Sequence, residues 1–370
     1  MSLRVTKPDF NVREKLNELD RPVGAQGNSI LQSKTTAESF SKIQAGRRNL
    51  VINGDMSIAQ RASSTTSITS DTFGACDRWE LDLSGAGTWT MEHVGDAPYN
   101  AGFTHCSSLS CTTAATSIGS HLSLRQKIEA HNIRGLCAGT PNAKPLTASF
   151  WVKSNEPGKY YVVLHRTRTS TANTESSRIS IAYTIEQPEV WEFKTITFPP
   201  DTHEGYQATG TATGLEIHFA LGYNQNNYGS SHYGHWHTNS AYLGRGQTNL
   251  AAATGNYWRL TGVQLEIGNE HTEFEHLNHT ENLELCQRYF HKLNSEQWLY
   301  NIDDNDSYRR ATINFPVEMR GSPSVVNISW GGGYTGNTGV QFNGNKTTTL
   351  WVNNVTNYME VTAAEFDVEL

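Results

Sequence analysis

From residue 49 to about residue 275, apolar side chains recur at every second position of short segments. Residues 79–83, 146–153 and 215–221 show this alternation most clearly. A period of two places successive side chains on opposite faces of a β-strand, so that one face packs in a core. Turn-rich stretches at 85–87 and 156–158 separate the segments. Many short strands without long intervening helices predict an all-β fold, a jelly-roll-like two-sheet β-sandwich over residues 49–277.

The apolar positions change parity once inside a predicted strand. Trp258 and Leu260 are followed by Val263 and Leu265, and Gly262 stands at the change. A change of one residue is typical of a β-bulge, where glycine is favoured. The pattern therefore predicts a bulge at Gly262.

One helix is predicted in the body of the chain, from Asn278 to Leu293. Asn278 and Glu281 have capping-box spacing, and Leu285, Tyr289 and Leu293 share one helical face. This helix is expected to connect residues 49–277 to a second β unit at 294–370. There the apolar residues alternate again, at Ile313, Phe315, Val317 and Met319.

The first 48 residues have a different, helical pattern. Val12, Leu16 and Leu19 form an apolar stripe between charged residues, and Phe10 lies at its beginning. Residues 22–29 are expected to break this helix, and a second helical stretch is expected at 36–44. A lone helix this short is marginal in water, so the segment is either an arm that needs copies of itself or a docking surface, or a disordered tail.

Composition narrows the class of partner. The chain of 370 residues has 31 glycines and nine tryptophans, only 18% of its residues are charged, and its net charge is −7. Glycine-rich, weakly charged composition favours a turn-rich β protein over a helical bundle. Because phosphate binding needs clustered Lys and Arg, the negative charge argues against a nucleic-acid partner.

Cysteines and apolar segments indicate where the protein is assembled. The five cysteines lack metal-binding spacing and are predicted to be reduced and mainly buried, as in a cytosol: Cys76, Cys106, Cys111, Cys137 and Cys286. The N-terminal sequence lacks the apolar segment of a secretory signal. No apolar stretch approaches the roughly 18 residues of a membrane span, so membrane insertion is not expected.

The aromatic residues of the loop around residues 223–237 either pack within the loop or, if the loop has a function, contact sugar. Its aromatic rings would stack on pyranose rings, while asparagines and histidines would bind hydroxyl groups. A rival platform is expected in the C-terminal unit. The candidate ligand-binding residues are Tyr228, Tyr233, Trp236, His235, Asn226 and Asn227 in the loop, and Trp330, Tyr334 and Trp351 in the C-terminal unit.

Other chemistry is disfavoured. His235 and His237 would share a face of a strand, but polar aromatic packing is preferred there to a metal site. Residues 303–306 are acidic without the ligand spacing of an EF-hand loop, and no spacing identifies a calcium site. We expect no cofactor and no enzymatic activity, since no GxSxG, HExxH or phosphate-binding glycine loop occurs. Trp79, Trp151 and Trp258 are predicted to be core residues.

Three blocks, in the same order, resemble the signature of phage tail-fibre and receptor-binding proteins. They are NLVINGDM (49–56) with AQR (59–61) and DRW (77–79), then SFWVKS (149–154), then GVQLEIG (262–268) with TEFE (272–275) and CQRYF (286–290). In such proteins these blocks belong to a carbohydrate-binding-module-like jelly roll. FPVEMRGSP (315–323) is similar to a turn of their small C-terminal domains.

The resemblance implies an expected function. It indicates a virion tail fibre, assembled in the host cytoplasm, that attaches to host surface glycan and is usually a homotrimer. Residues 1–48, with Phe10, Val12, Leu16 and Leu19, would attach it to other phage tail proteins, and residues 294–370 would form a small β-sandwich tip. Two alternatives stay open: a structural virion protein, such as a head-decorating spike or tail spacer, and a glycan-cleaving tailspike.

Overall fold

The structure is a computed structural model in which the described residues are 24–32, 47–169, 174–203, 206–224, 233–238, 246–293, 297–301, 308–334, 336–353 and 355–370. The chain divides into two compact units, residues 1–48 and residues 49–370. Among the helices described, none combines the length and the apolar character needed to span a bilayer.

The first unit contains a helix, α1 (Gly24–Leu31), where the sequence predicted a break. Residues 24–29 are thus helical themselves, because two glycines lower helix propensity by only about 1 kcal/mol each; whether they interrupt the helix predicted before them depends on residues outside the described part of the chain. The predicted arm residues Phe10, Val12, Leu16 and Leu19, and the stretch 36–44, lie outside the described residues.

The second unit begins with a β-sandwich of thirteen antiparallel strands, as the alternation predicted. They are β1 (Ser64–Ile68), β2 (Thr72–Phe73), β3 (Glu80–Ser84), β4 (Thr88–Val94), β5 (Cys106–Thr113), β6 (His121–Glu129), β7 (Leu146–Ser154), β8 (Gly158–Thr169), β9 (Thr174–Ile185), β10 (Glu192–Phe198), β11 (Tyr206–Gln207), β12 (Thr213–Tyr223) and β13 (Tyr257–Ile267). Short 3-10 helices lie at Tyr99–Ala101, Ala130–Leu136 and Leu250–Ala252.

These strands form two sheets packed face to face in a jelly-roll-like sandwich. Sheet A has the order β1-β4-β5-β13-β7-β10, and sheet B has the order β11-β8-β12-β6-β3-β2, with β9 paired to β8. Phe219 lies at the centre of the core, where its ring is 5.0 Å from Phe150 and 5.7 Å from Trp258 between centroids. Trp79 and Trp258 are fully buried, which confirms their prediction as core residues.

The predicted bulge is present in β13. The pairing of β13 with β7 shifts between Thr261 and Gln264, and Gly262 has a φ of 62°. That left-handed conformation favours glycine. The bulge lets Trp258 and Val263 both face the core despite their odd separation.

The residues that carry the resemblance are largely structural. Asn49 donates its amide N–H to the Val263 carbonyl at 2.9 Å and accepts from the Leu265 N–H at 3.0 Å. Asn53 likewise donates to the carbonyls of Ile58 and Asp77. Buried polar side chains of this kind satisfy backbone groups that would otherwise lose hydrogen bonds to water. The first and third blocks thus close the sandwich together.

The second helix is shorter than predicted. Helix α2 (His279–Gln287) begins as expected, because the Asn278 carboxamide oxygen accepts from the Glu281 N–H at 2.9 Å. It does not reach Leu293. Instead, Phe290–Leu293 forms a strand that pairs with the C-terminal strand of the chain. Those long-range backbone hydrogen bonds outweigh the helical periodicity of a short segment.

The C-terminal part is a small sandwich of two four-stranded sheets. Its strands are β14 (Phe290–Leu293), β15 (Gln297–Trp298), β16 (Tyr300–Asn301), β17 (Tyr308–Asn314), β18 (Ser324–Tyr334), β19 (Thr338–Asn343), β20 (Thr347–Asn353) and β21 (Val355–Asp367). In one sheet, β21 pairs with β14, β15 and β18. The other sheet has the order β16-β17-β20-β19. Ile313, Phe315 and Met319 are buried in its own core, as the alternation predicted, whereas Val317 is only partly buried and β17 ends at Asn314.

Buried charged side chains join the two sandwiches. Arg78 is almost fully buried, forms an ion pair with Glu369, and lies over the Tyr289 ring at 3.5 Å. Lys127 donates to the Leu370 carbonyl at 2.7 Å. Because an unpaired buried charge is costly, these contacts hold the C-terminus against the first sandwich.

All five cysteines lie in the described part of the chain and are present as thiols. Four are buried, and Cys137 is exposed. Burial raises the pKa of the Cys106 thiol to about 12. A thiol that does not ionise is unreactive, so a packing role fits the buried cysteines.

Candidate functional site

An open groove of about 600 Å³ lies on the outer side of sheet A. It is lined by Tyr99, Asn100, Trp151, Val190 and Trp191, together with Pro98 and Ala101. We call these seven residues the aromatic groove. They come from three separate segments: the 3-10 helix after β4, strand β7, and the loop that leads into β10.

Trp151 reaches the groove because of the alternation in β7. Its neighbours Phe150 and Val152 are fully buried between the sheets, so Trp151 must point outward and is only half-buried. Across the strand pair it faces Phe193 of β10, with ring centroids 5.4 Å apart. The two rings extend the apolar surface along sheet A.

Trp191 is held in place by an acidic side chain. Its indole N–H donates to Asp96 Oδ1 at 3.3 Å, and Lys153 Nζ donates to Asp96 Oδ2 at 2.8 Å. The Arg259 guanidinium also donates to Asp96 and lies over the Tyr257 ring at 4.6 Å. The carboxylate therefore links the groove to two cations on the same face of sheet A.

The pKa of Asp96 is lowered. Burial acts to raise it, but the hydrogen bonds from Lys153 and Trp191 and the charges of Lys153 and Arg259 outweigh that effect. Asp96 is thus ionised at neutral pH. Its side chain is 37% exposed, so it stays accessible to solvent as a charged hydrogen-bond acceptor.

Several apolar side chains in or beside the groove are exposed to solvent. Tyr99 is 64% exposed, Val190 44% and the adjoining Phe193 41%. Aromatic rings that remain exposed next to polar groups give a ligand both a flat apolar face and hydrogen-bond partners. Asn100, Lys153 and Arg259 supply donors, and Asp96 supplies an acceptor. The arrangement suits a polyhydroxylated, partly apolar ligand.

The loop candidates from the sequence divide into three outcomes. Tyr233 and His235 are exposed, as a ligand role requires. Trp236 is only 7% exposed, belongs to the sandwich core, and donates its indole N–H to the Pro199 carbonyl at 2.7 Å. It therefore offers no stacking face, and its assignment as a ligand residue was wrong. Tyr228, Asn226 and Asn227 lie outside the described residues.

The tip candidates are less open than the groove. Trp330 packs partly buried against the core of the C-terminal sandwich. Trp351 is half-buried, and its ring meets that of Tyr308 at 5.2 Å in an edge-to-face contact. Tyr334 belongs to β18, but its side chain lies outside the described part of the structure.

The prediction that Trp151 is a core residue was wrong, because its side chain lines the groove. The signal was present in the sequence, because Trp151 shares its strand parity with the polar residues Thr147, Ser149 and Lys153. Tyr99 and Trp191 carried no comparable signal. Tyr99 lies in a 3-10 helix and Trp191 in a loop, both outside any alternating segment, and only the folded chain brings them to Trp151.

The outer face of sheet B has a different character, because carboxylates and imidazoles cluster on it. Asp82 contacts His121 at 2.9 Å and Arg125 at 3.1 Å, and Glu216 contacts His218 at 3.1 Å and His165 at 3.4 Å. These groups are mostly buried. Elsewhere, His235 is exposed and His237 buried, and residues 303–306 lie outside the described residues.

Comparisons with known proteins give structural but no sequence matches. No protein-family model and no curated protein matches the sequence. The enzymatically active domain of bacteriophage CBA120 tailspike protein 4 has 15% identity and a TM-score of 0.31, over 59% of this chain and 21% of that one. The chain therefore spans about a fifth of that tailspike structure.

Two further solved structures are similar over their whole length. A putative sugar binding protein from Bacteroides thetaiotaomicron has 10% identity and a TM-score of 0.35, over 60% of this chain and 100% of that one. The CBM22-1 xylan-binding domain from Paenibacillus barcinonensis has 9% identity and a TM-score of 0.29, over 61% and 100%. Scores this low do not identify a function.

Proposed function

We propose that this protein is a glycan-binding adhesin and that the aromatic groove on sheet A is its binding surface. The observation that carries the proposal is the convergence of Tyr99, Trp151 and Trp191 beside ionised Asp96. A sugar ring would stack on the indole and phenol faces. Its hydroxyl groups would bind Asp96, Asn100 and Arg259 at the edges of the groove.

We further propose that the adhesin is a tail fibre of a phage virion. The sequence blocks at 49–79, 149–154 and 262–290 support this class by resemblance, and two of them form the interlocked closure around Asn49. Such a fibre would be a homotrimer anchored through residues 1–48. A trimer also suits weak individual contacts, because several linked sites raise the overall affinity without new contacts.

The proposed activity is binding without cleavage. Glycoside hydrolysis uses a pair of carboxyl groups that flank the scissile bond. Among the described residues that line the groove there is no carboxylate, and the neighbouring Asp96 is paired with Lys153 and Arg259. A carboxylate that is ion-paired with two cations stays ionised and is therefore a poor general acid. This favours an adhesin over a glycan-cleaving spike.

The decisive test is binding of the purified full-length protein to an array of bacterial surface polysaccharides, followed by titration of any glycan retained. Trp151→Ala and Trp191→Ala should each weaken that binding by about 2- to 12-fold, from roughly 0.5–1.5 kcal/mol per stacked ring. Trp298→Ala is the matched control, since Trp298 is 48% exposed but lies in the C-terminal sandwich.

The same experiment separates the rival surfaces. If Tyr233→Ala abolishes binding while Trp151→Ala leaves it unchanged, the loop at 233–238 is the adhesive face and the groove proposal fails. If no polysaccharide is retained, the result favours the alternative that the protein is a structural virion protein. Labelling of intact particles with antibody to this chain then distinguishes tail from head, and light scattering of the full-length protein tests the trimer.

A further inference from the structure

The outer face of sheet B holds a second, separate constellation. His165 on β8 faces Glu216 on β12 directly across the strand pair, and His218 follows two positions later on the same face. Their nitrogen and carboxylate atoms all lie within 4.8 Å of one another. Since β-strand alternation sends all three side chains to one side, the cluster is a product of strand register.

The spacing within this cluster fits metal ligation. Glu216 Oε2 lies 3.1 Å from His218 Nε2, and Glu216 Oε1 lies 3.4 Å from His165 Nδ1. A tetrahedral zinc ion, with bonds of about 2.0–2.2 Å, holds its ligand atoms roughly 3.3–3.6 Å apart. Both oxygens of Glu216 already face an imidazole at nearly that separation.

The second ring nitrogen of His218 supports the same interpretation. His218 Nδ1 lies 3.4 Å from Ser123 Oγ and 3.7 Å from Asp82 Oδ2. The His218 side chain is only 5% exposed. A carboxylate behind a ligating imidazole is the usual outer support of zinc sites.

A neighbouring cluster shows what excludes a cation. Asp71, Asp82 and His121 are equally close to one another. However, the Arg125 guanidinium lies 3.1 Å from Asp82 and 3.5 Å from Asp71, so a positive charge already stands there. Glu216 forms no such ion pair with an arginine or lysine among the described residues, and Arg125 and Lys127 both contact Glu80.

We propose that His165, Glu216 and His218 bind a divalent transition metal of the zinc class. Two imidazoles and one carboxylate suit Zn²⁺ or Co²⁺, whereas Ca²⁺ and Mg²⁺ prefer sets made only of oxygen. The His165 and Glu216 side chains are 17% and 12% exposed, which leaves the cluster within reach of solvent. A metal there would join β8 to β12 across sheet B, on the side opposite the aromatic groove.

The test uses full-length protein without a histidine tag, freed of metal with EDTA and then titrated with Co²⁺. We expect one equivalent to give the visible absorption of tetrahedral Co²⁺, to be displaced by Zn²⁺, and to raise the melting temperature. His165→Asn and Glu216→Gln should each weaken Co²⁺ binding at least tenfold. His165→Asn alters a partly exposed residue, so it carries the test if Glu216→Gln does not fold.

The matched control is His131→Asn. His131 pairs with Glu129 at 3.0 Å but has no second histidine in that pair, so its loss should leave Co²⁺ binding unchanged. Equal binding by wild type and His165→Asn would overturn the proposal, as would the absence of a stoichiometric Co²⁺ signal. In either case the cluster is a set of ion pairs only. Stabilisation by Ca²⁺ but not by Zn²⁺ would overturn the metal class.

Discussion

The outer faces of sheets A and B come from strands with the same alternation, yet their outward side chains differ in how far they are exposed to solvent. On sheet A the outward residues Trp151 and Phe193 remain partly exposed beside Asp96. On sheet B the outward residues Asp82 and His218 are almost fully buried among other charged groups. Alternation thus determines the direction of a side chain, whereas packing of neighbouring side chains determines whether that direction leads to water.

The largest expected effect concerns the buried carboxylate of sheet B. Asp82→Ala should lower the free energy of unfolding by about 3 kcal/mol, because His121 Nε2, the Ser123 hydroxyl and the Arg125 guanidinium each lose a contact to the same buried carboxylate. Asp96→Ala, on the more exposed face, should cost under about 1 kcal/mol. Equal losses in urea unfolding would remove the distinction between the two faces.

The second-largest expected effect is a loss of folding stability in acid, caused by protonation of Asp82 on sheet B. Burial raises the pKa of Asp82, but the His121 hydrogen bond and the Arg125 charge outweigh it and lower that pKa to about 2, from 3.8. A depressed pKa stabilises the folded state above pH 3.8, and that stability is lost as the pH falls through about 2. The loss should be on the order of 2 kcal/mol between pH 4 and pH 2.

Asp82→Asn is the variant that tests this pH dependence. It removes the titrating group, so its free energy of unfolding should fall less steeply below pH 4 than that of wild type. Urea unfolding measured at several pH values gives both slopes. Identical slopes would assign the acid sensitivity to other groups, of which Glu216 is the first candidate because its pKa is also lowered, despite burial, by His165 and His218.

A smaller effect should separate the two proposed binding sites. Trp151→Ala should lower glycan affinity by about 2- to 12-fold and leave Co²⁺ affinity within about twofold of wild type. His165→Asn should do the reverse. The sites lie on opposite sides of two sheets that pack about 10 Å apart, so little coupling is expected. A variant that weakens both ligands would indicate that the faces act as one unit.

The smallest expected effect is that of reductant on the core between the two faces. Cys76, Cys106 and Cys111 are buried thiols, so dithiothreitol should leave the melting temperature nearly unchanged. Loss of a native disulfide typically costs about 2–5 kcal/mol. A fall of that size would mean that the native protein carries a disulfide.

Local pattern was sufficient wherever neighbours in the chain set the outcome. The strands of the sandwich, the bulge at Gly262 and the cap at Asn278 all depend on residues a few positions apart. Periodicity, the conformational freedom of glycine and a capping carboxamide act at that range. The sequence therefore predicted the all-β class and these elements without a structure.

Tertiary structure alone decided the rest, because the deciding contacts join distant residues. Strand Phe290–Leu293 replaced the end of a helix only because β21 lies beside it, and Trp236 entered the core from a loop without alternation. Asp96 is 57, 95 and 163 positions from Lys153, Trp191 and Arg259, its partners beside the groove. No local period encodes such convergence, since it arises from the order in which strands pair.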